Sequence, residues 1–238
     1  MPSPASLRSI VATLRRHYGA PARPISRDPF KLIVWEQVAY LATDATRRQA
    51  FAELRREVGL TPAAILEASP ATLRKIARLG GAIAPDLRAR RLRDSAQLTT
   101  RAWNGHLARA LAAMPVEKAR RALTRFAMIG EPGADKILAL MGRAQVLPLD
   151  SNGLRVLDRL GLIREQADYR TTYQHAQETL APQLPRKPAW LIEAHQLLRT
   201  HGQTLCRRTR PLCSECPLLK CCVYGMNAVA ARGRVGAQ

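Results

Sequence analysis

The sequence predicts an all-α protein, and three observations carry that expectation. Aromatic residues make up only 5% of a chain rich in alanine and aliphatics, and no Val/Ile/Tyr run of strand character occurs. Helical signals follow one another along the chain, separated by glycine and proline breaks. No strand–helix alternation and no internal repeat is present. At 238 residues the chain can bury a proper core and hold one or two domains.

The elements read in order as follows. Residues 5–17 predict a short basic amphipathic helix, ended by Gly19 and the Pro21/Pro24 stretch. Residues 29–42, PFKLIVWEQVAYLA, are apolar nearly all round, the mark of a helix buried on most faces. Thr43-Asp44 opens a polar segment. Helical signals follow at 61–67, 70–78, 86–99, 101–112 and 116–127, broken by Gly80-Gly81, Pro85 and Pro115. After 130 come a helix ending near Gly142, a junction at Pro148, a helix at 151–160 and two more at about 171–181 and 188–201. A cysteine loop closes the fold, and the tail AVAARGRVGAQ is expected to be disordered.

Charge narrows the function. The 38 Lys and Arg against 18 Asp and Glu leave a formal +20, and a protein this basic ordinarily meets a polyanion, nucleic acid first. Arginine dominates, which suits bidentate phosphate contacts. No apolar stretch reaches the roughly 18 residues of a membrane span. The N-terminus shows neither an unbroken apolar core nor a small-residue cleavage site, so a cytoplasmic address is expected.

Cys206, Cys213, Cys216 and Cys222 fall in the spacing C-x6-C-x2-C-x5-C. Thiolates this dense read as ligands of one metal centre, a [4Fe–4S] cluster before zinc, because zinc modules usually show two short paired spacings. Disulfides belong to secreted chains. Cys221 stands beside Cys222 and reads as a spare thiol, although either neighbour could be the fourth ligand.

The segment Phe126–Ala134, FAMIGEPGA, joins two helices. A glycine at such a turn lets backbone approach a ligand, and the following helix offers free N–H groups and a positive dipole end to an anion. An ordinary helix–helix turn is the competing reading, and Glu131 would repel a phosphate. Asp150, after Pro148 and before a helix, has the plain reading of an N-cap.

The cysteine pattern preceded by HGQTLC, the hairpin and the segment Leu149-Asp150-Ser151-Asn152 together resemble the helix-hairpin-helix DNA glycosylase superfamily, in its endonuclease III and MutY branches. The resemblance covers roughly residues 28–225. The family hairpin runs L-P-G-V-G-x-K-T-A, with a catalytic aspartate 20 residues after its last glycine, and Gly130 to Asp150 is 20 residues. Met128 replaces the first glycine and Ala127 the proline. The lysine that endonuclease III uses as nucleophile falls on Pro132, which cannot form a Schiff base, and Lys136 lies one turn further on.

The resemblance implies two helical lobes: a six-helix lobe at 27–146, and a cluster lobe from 1–26 with 147–238, its cluster loop at 206–222. It implies a base-excision DNA glycosylase that flips a damaged or mismatched base from duplex DNA and hydrolyses its N-glycosidic bond, acting as a monomer. Asp150 would stabilise the sugar cation or activate water. Glu36 lies where the MutY branch places its catalytic glutamate, and would protonate the leaving base from a cleft that raises its pKa; a structural carboxylate on the helix's one solvated stripe is the competing reading. Met128, Ile129, Gly130, Gly133, Ser151 and Asn152 would meet DNA. Tyr40 and Leu41 would stack on or wedge into the duplex, with core packing as the competing reading. His195 and His201 read as packing groups. The basic residues Arg207, Arg208, Arg210 and Lys220 would bring the cluster loop to phosphates. The chain ends soon after the cysteines, so the extra C-terminal domain of MutY is not expected. Two alternatives stand beside this reading: a bifunctional glycosylase/AP lyase using Lys136, and a non-catalytic iron–sulfur DNA-binding protein.

Overall fold

The computed structural model describes residues 5–144 and 146–235, with side chains as far as residue 230. Among them no strand occurs, and α-helices and short 3₁₀ turns make up the regular structure, as composition and punctuation predict. Helix α1 (Leu7–Tyr18) begins where Ser6 Oγ accepts from the Ser9 N–H at 3.2 Å, and it buries Leu7, Ile10, Val11 and Leu14 along one stripe.

Residues Pro24–Arg143 form a compact unit of their own. It holds α2 (Pro29–Gln37), α3 (Asp44–Glu57), α4 (Pro62–Glu67), α5 (Pro70–Leu79), α6 (Pro85–Trp103), α7 (Leu107–Ala113), α8 (Val116–Leu123) and α9 (Glu131–Leu140). Three of these start with one device. Asp28, Thr61 and Ser69 each accept the N–H three residues on, at 2.9, 3.2 and 3.0 Å, and each is followed by a proline whose missing N–H costs nothing there. Helix α6 is the spine, packing on α2, α4, α5 and α7. Ile33, Val34, Leu54, Ile65, Ile76, Leu92 and Leu111 are fully buried in this unit.

Met1–Arg23 and Ala144–Gln238 form the other unit. After α1 it contains α10 (Ser151–Arg159), α11 (Tyr169–Leu180), α12 (Pro188–Thr204) and α13 (Val223–Val235). Helix α12 packs against both α1 and α10, around a core that includes Leu14, Leu149, Leu157, Tyr173, Leu191 and Leu198.

Four expectations change. The helix expected over 29–42 stops at Gln37, and the carbonyl of Val38 turns instead to a buried arginine, Arg88. The break expected near residue 100 lies at Asn104-Gly105, both at positive φ (50° and 81°), so α6 runs on to Trp103. The helix expected over 116–127 ends at Leu123, where 3₁₀-type hydrogen bonds take over. The tail expected to be disordered continues α13 as far as Val235, within an alanine-rich run of high helix propensity, and its last three residues, 236–238, lie outside the described residues. No helix of the described residues is long and apolar enough to cross a membrane.

Candidate active site

The hairpin is built by α8 and α9. Arg120 Nε donates to Asp135 Oδ1 at 2.6 Å, and with Asp135 nearly buried this ion pair clamps the two helices together. In the turn, the Phe126 N–H bonds Leu123 O and the Ile129 N–H bonds Phe126 O, both at 3.1 Å. Met128 sits at φ +68°, the left-handed region that favours glycine, at the position where the family pattern carries its first glycine. Its side chain is exposed. Ile129, by contrast, is buried and its N–H is used within the turn, so it holds the hairpin's shape rather than presenting a side chain outward. A Cβ on Gly130 would meet nothing nearer than Pro132 Cδ at 3.8 Å, leaving the outer face of the turn open, whereas one on Gly133 would press Ile129 Cγ2 at 3.4 Å. No side chain caps α9 at Gly130. Gln37, fully buried, donates to Ser95 Oγ at 2.8 Å and to Ala127 O at 3.1 Å, tying the turn to α2 and α6.

Glu36 lies one residue before that anchor. Its Oε1 accepts from Lys136 Nζ at 2.6 Å, and its Oε2 is 3.8 Å from Arg47 Nη1. The Glu36 and Lys136 side chains are each about a quarter exposed. Lys136 and Arg47 thus place the Glu36 carboxylate in an ion-pair cluster. Just beyond, Tyr40 and Leu41 are exposed, Leu41 by 78% and at φ +49°. Ile83, which no sequence motif marks, is exposed on a loop of the same unit.

Asp150 caps α10. Its Oδ1 accepts the N–H groups of Asn152 and Gly153 at 3.0 and 2.9 Å, and its Oδ2 meets Asn152 Nδ2 at 3.2 Å and Arg199 Nε at 3.3 Å. The carboxylate keeps about a third of its surface open. Ser151, next to it, is exposed. The three carbonyls leading to Asp150 are each engaged: Leu147 O by Gln177 Nε2 at 2.8 Å, Pro148 O by His195 Nδ1 at 3.0 Å, Leu149 O by the Tyr169 hydroxyl at 3.2 Å. Tyr169 exposes much of its ring, yet burial of its hydroxyl, and then the Asp150 charge, push its pKa up to about 12. Gly202 of α12 allows the close approach of α10, since a Cβ there would stand 2.7 Å from Asn152 Cβ. Gln177, His195, Tyr169 and Arg199 lie 19 to 49 residues from Asp150, and no local pattern marks them as its supports.

Cys206, Cys213, Cys216 and Cys222 line one cavity, with His201, Arg159 and Tyr224 on its wall. Cys221 does not; its thiol donates to Leu218 O at 3.2 Å. Burial pushes the Cys216 thiol up to about 11 and raises that of Cys222, and the neighbouring cysteines add to both shifts. N–H donors reach three of the sulfurs: Arg159 Nη1 to Cys206, Leu218 to Cys216 and Gly225 to Cys222, at 3.4, 3.4 and 3.3 Å. His201 is buried, pushed down to about 4 chiefly by that burial, and stands between Tyr18 Oη (3.0 Å) and Cys216 Sγ (3.6 Å). Among the described residues, no group of three or more His, Cys, Asp or Glu side chains converges to hold a single metal ion. Four thiols ringing one cavity, with N–H donors aimed at sulfur, suit a thiolate-bound metal centre.

Comparison with known proteins agrees with this layout. A family profile described as HhH-GPD superfamily base excision DNA repair protein matches residues 42–182. Endonuclease III of Sulfolobus acidocaldarius is 24% identical over 205 residues, 86% of each chain, and that of Bacillus subtilis 26% identical over 112 residues, 47% of this chain and 48% of the relative. A solved non-covalent endonuclease III–DNA complex superimposes with a TM-score of 0.76 at 22% identity, over 97% of this chain and all of the other. A thermostable thymine-DNA glycosylase does so with 0.70 at 16% identity, over 93% and 97%.

Proposed function

The chain belongs to the HhH-GPD superfamily of base excision DNA repair proteins, and we propose that within it this protein is a monofunctional DNA glycosylase. One observation carries the monofunctional reading. Pro132 occupies the first turn of α9 where a lysine nucleophile would stand, and the neighbouring amine, Lys136, is held at 2.6 Å by Glu36. An amine held in an ion pair must leave its carboxylate partner before it can attack the sugar.

In the proposed reaction the target base leaves the stack, the C1′–N bond breaks, and its electron pair departs with the base. Asp150, aimed by two backbone N–H groups, stabilises the positive sugar and takes a proton from the water that attacks C1′. The products are a free base and an abasic site with both strands intact. The proton delivered to the departing base would come from the Glu36 carboxyl. The open face at Gly130 and the uncapped N-terminus of α9 would receive a backbone phosphate. Ser151 and Asn152 would also meet DNA, and the exposed Tyr40 and Leu41 would enter the duplex.

We assign Cys206, Cys213, Cys216 and Cys222 as the ligands of a [4Fe–4S] cluster, with Cys221 outside it. These four thiols would hold such a cluster, supported by the N–H groups that reach three of the sulfurs. When bound, the cluster would tie the loop together and draw the proton from each thiol. Arg207, Arg208 and Arg210 would then be presented to phosphates.

The relatives include enzymes named for thymine and for 3-methyladenine. A panel of duplexes carrying a G·T mismatch, 3-methyladenine, ethenoadenine or an oxidised pyrimidine, assayed for free base, tests the reading. Base release by the wild type that is lost in Asp150→Asn and reduced in Glu36→Gln is expected. A variant Asp150→Asn as active as the wild type would overturn it.

A further inference from the structure

The hydrogen bonds around His201 form a chain whose direction can be worked out bond by bond. The ring lies in the last turn of α12 and is 2% exposed. Its Nε2 stands 3.6 Å from Cys216 Sγ, and its Nδ1 stands 3.0 Å from the hydroxyl of Tyr18, the last residue of α1. Tyr18 Oη lies 2.9 Å from Thr204 Oγ1, and Thr204 Oγ1 donates to the Thr200 carbonyl at 2.9 Å. The chain thus runs from a cysteine sulfur, through a buried ring, to an exposed threonine.

A carbonyl only accepts, so the single hydroxyl proton of Thr204 is committed to Thr200 O. Tyr18 must then donate to Thr204, which leaves its oxygen to accept from Nδ1–H of His201. A buried imidazole is neutral and carries one N–H, so Nε2 is bare and accepts from the Cys216 thiol. A sulfur that ligates a metal carries no proton and can only accept. It therefore meets the other tautomer, with the proton on Nε2. Nδ1 then accepts from Tyr18, and Tyr18 accepts from Thr204. Turning two hydroxyls and exchanging one tautomer reverses the chain, and neither ring nitrogen is left without a partner in either direction.

We propose that His201 is a positioning residue of the metal centre: with the cluster bound, it donates Nε2–H to the Cys216 sulfur, is locked in that tautomer by the Tyr18 hydroxyl, and raises the reduction potential of the cluster. The inference rests on the assignment of the four cysteines to a [4Fe–4S] cluster. Reduction adds negative charge that the sulfurs share, so an N–H donor stabilises the reduced state more than the oxidised one.

The test is the midpoint potential of the purified holoprotein, measured by voltammetry with iron content and visible absorbance alongside. His201→Leu removes the donor and shifts the oxidised-to-reduced ratio at a fixed potential about tenfold toward the oxidised form, a fall of about 59 mV for one electron. His201→Gln carries an amide N–H that can reach the same sulfur, and it restores most of the potential, which filling the space alone would not do. A fully loaded His201→Leu protein with the wild-type potential would overturn the proposal, as would a glutamine variant that behaves like the leucine one. Should His201→Leu lose its iron, Tyr18→Phe decides. It keeps the ring and removes the hydroxyl, so iron is retained and the potential falls by a smaller step in the same direction. An unchanged or raised potential in Tyr18→Phe would overturn the proposal. A wild type that purifies without iron removes the cluster assignment and the proposal with it, whereas loaded protein with silent variants removes the proposal alone.

Discussion

Asp150 has two jobs in this account, and substitution separates them. As the N-cap of α10 it accepts two N–H groups, at 3.0 and 2.9 Å, a task that an asparagine carbonyl performs equally well. As a charge beside the sugar it cannot be replaced by a neutral amide. Unit charges about 4 Å apart in an effective dielectric near 20 attract by about 4 kcal/mol. If that attraction arises mainly in the transition state, its loss slows base release about 10³-fold. Asp150→Asn therefore keeps a melting temperature within about 1–2 °C of the wild type, since the cap survives. Asp150→Ala loses the cap as well, about 1 kcal/mol or roughly 2–4 °C for a chain of this size. Both variants should lose base release equally in single-turnover measurements on the duplex that the wild type cleaves. Activity that followed stability, with Asn active and Ala impaired, would refute the chemical role and leave only the cap.

Other consequences are as direct. Removing the Lys136 amine in Lys136→Met leaves base release within reach of the wild type while Glu36→Gln lowers it about 10²-fold, measured as free base, because the carboxylate and not the amine serves the leaving group. Cys221→Ser retains iron and visible absorbance in the purified protein, whereas Cys222→Ser loses both; the reverse pattern would exchange the two assignments. Tyr169 favours its protonated form in the folded state, with a pKa near 12 against an ordinary 10, so its contribution to stability is complete below pH 10 and is lost as pH rises toward 12. Phenolate absorbance should follow this late step, and Asp150→Asn, by removing a nearby negative charge, should bring it to lower pH.

Much of the fold is local and was legible for that reason. Asp28, Thr61 and Ser69 each precede a proline, and each starts a helix by the mechanism that such pairs predict. The cysteines and the Gly130-to-Asp150 step were readable because spacing along the chain is itself the signal. What escaped the sequence depends on partners far away in it. Helix α2 stops at Gln37, where the next carbonyl, Val38 O, meets a guanidinium 50 residues further on, and Glu36 finds its closest cation 100 residues away. Met128 looked like the loss of a glycine; the structure keeps the glycine's backbone conformation with a methionine in it. Asn104-Gly105 was present to be read as a break, but the helical pattern on both sides concealed it.

The account turns on whether the chemistry stops at the abasic site. A duplex carrying the base that the protein excises, labelled on the lesion strand, should keep that strand intact after enzyme treatment and break only when heated in alkali. Borohydride added during the reaction should trap no covalent protein–DNA adduct. A strand nicked by the protein alone, together with a trapped adduct that disappears in Lys136→Met, would contradict the monofunctional mechanism and make Lys136 the nucleophile.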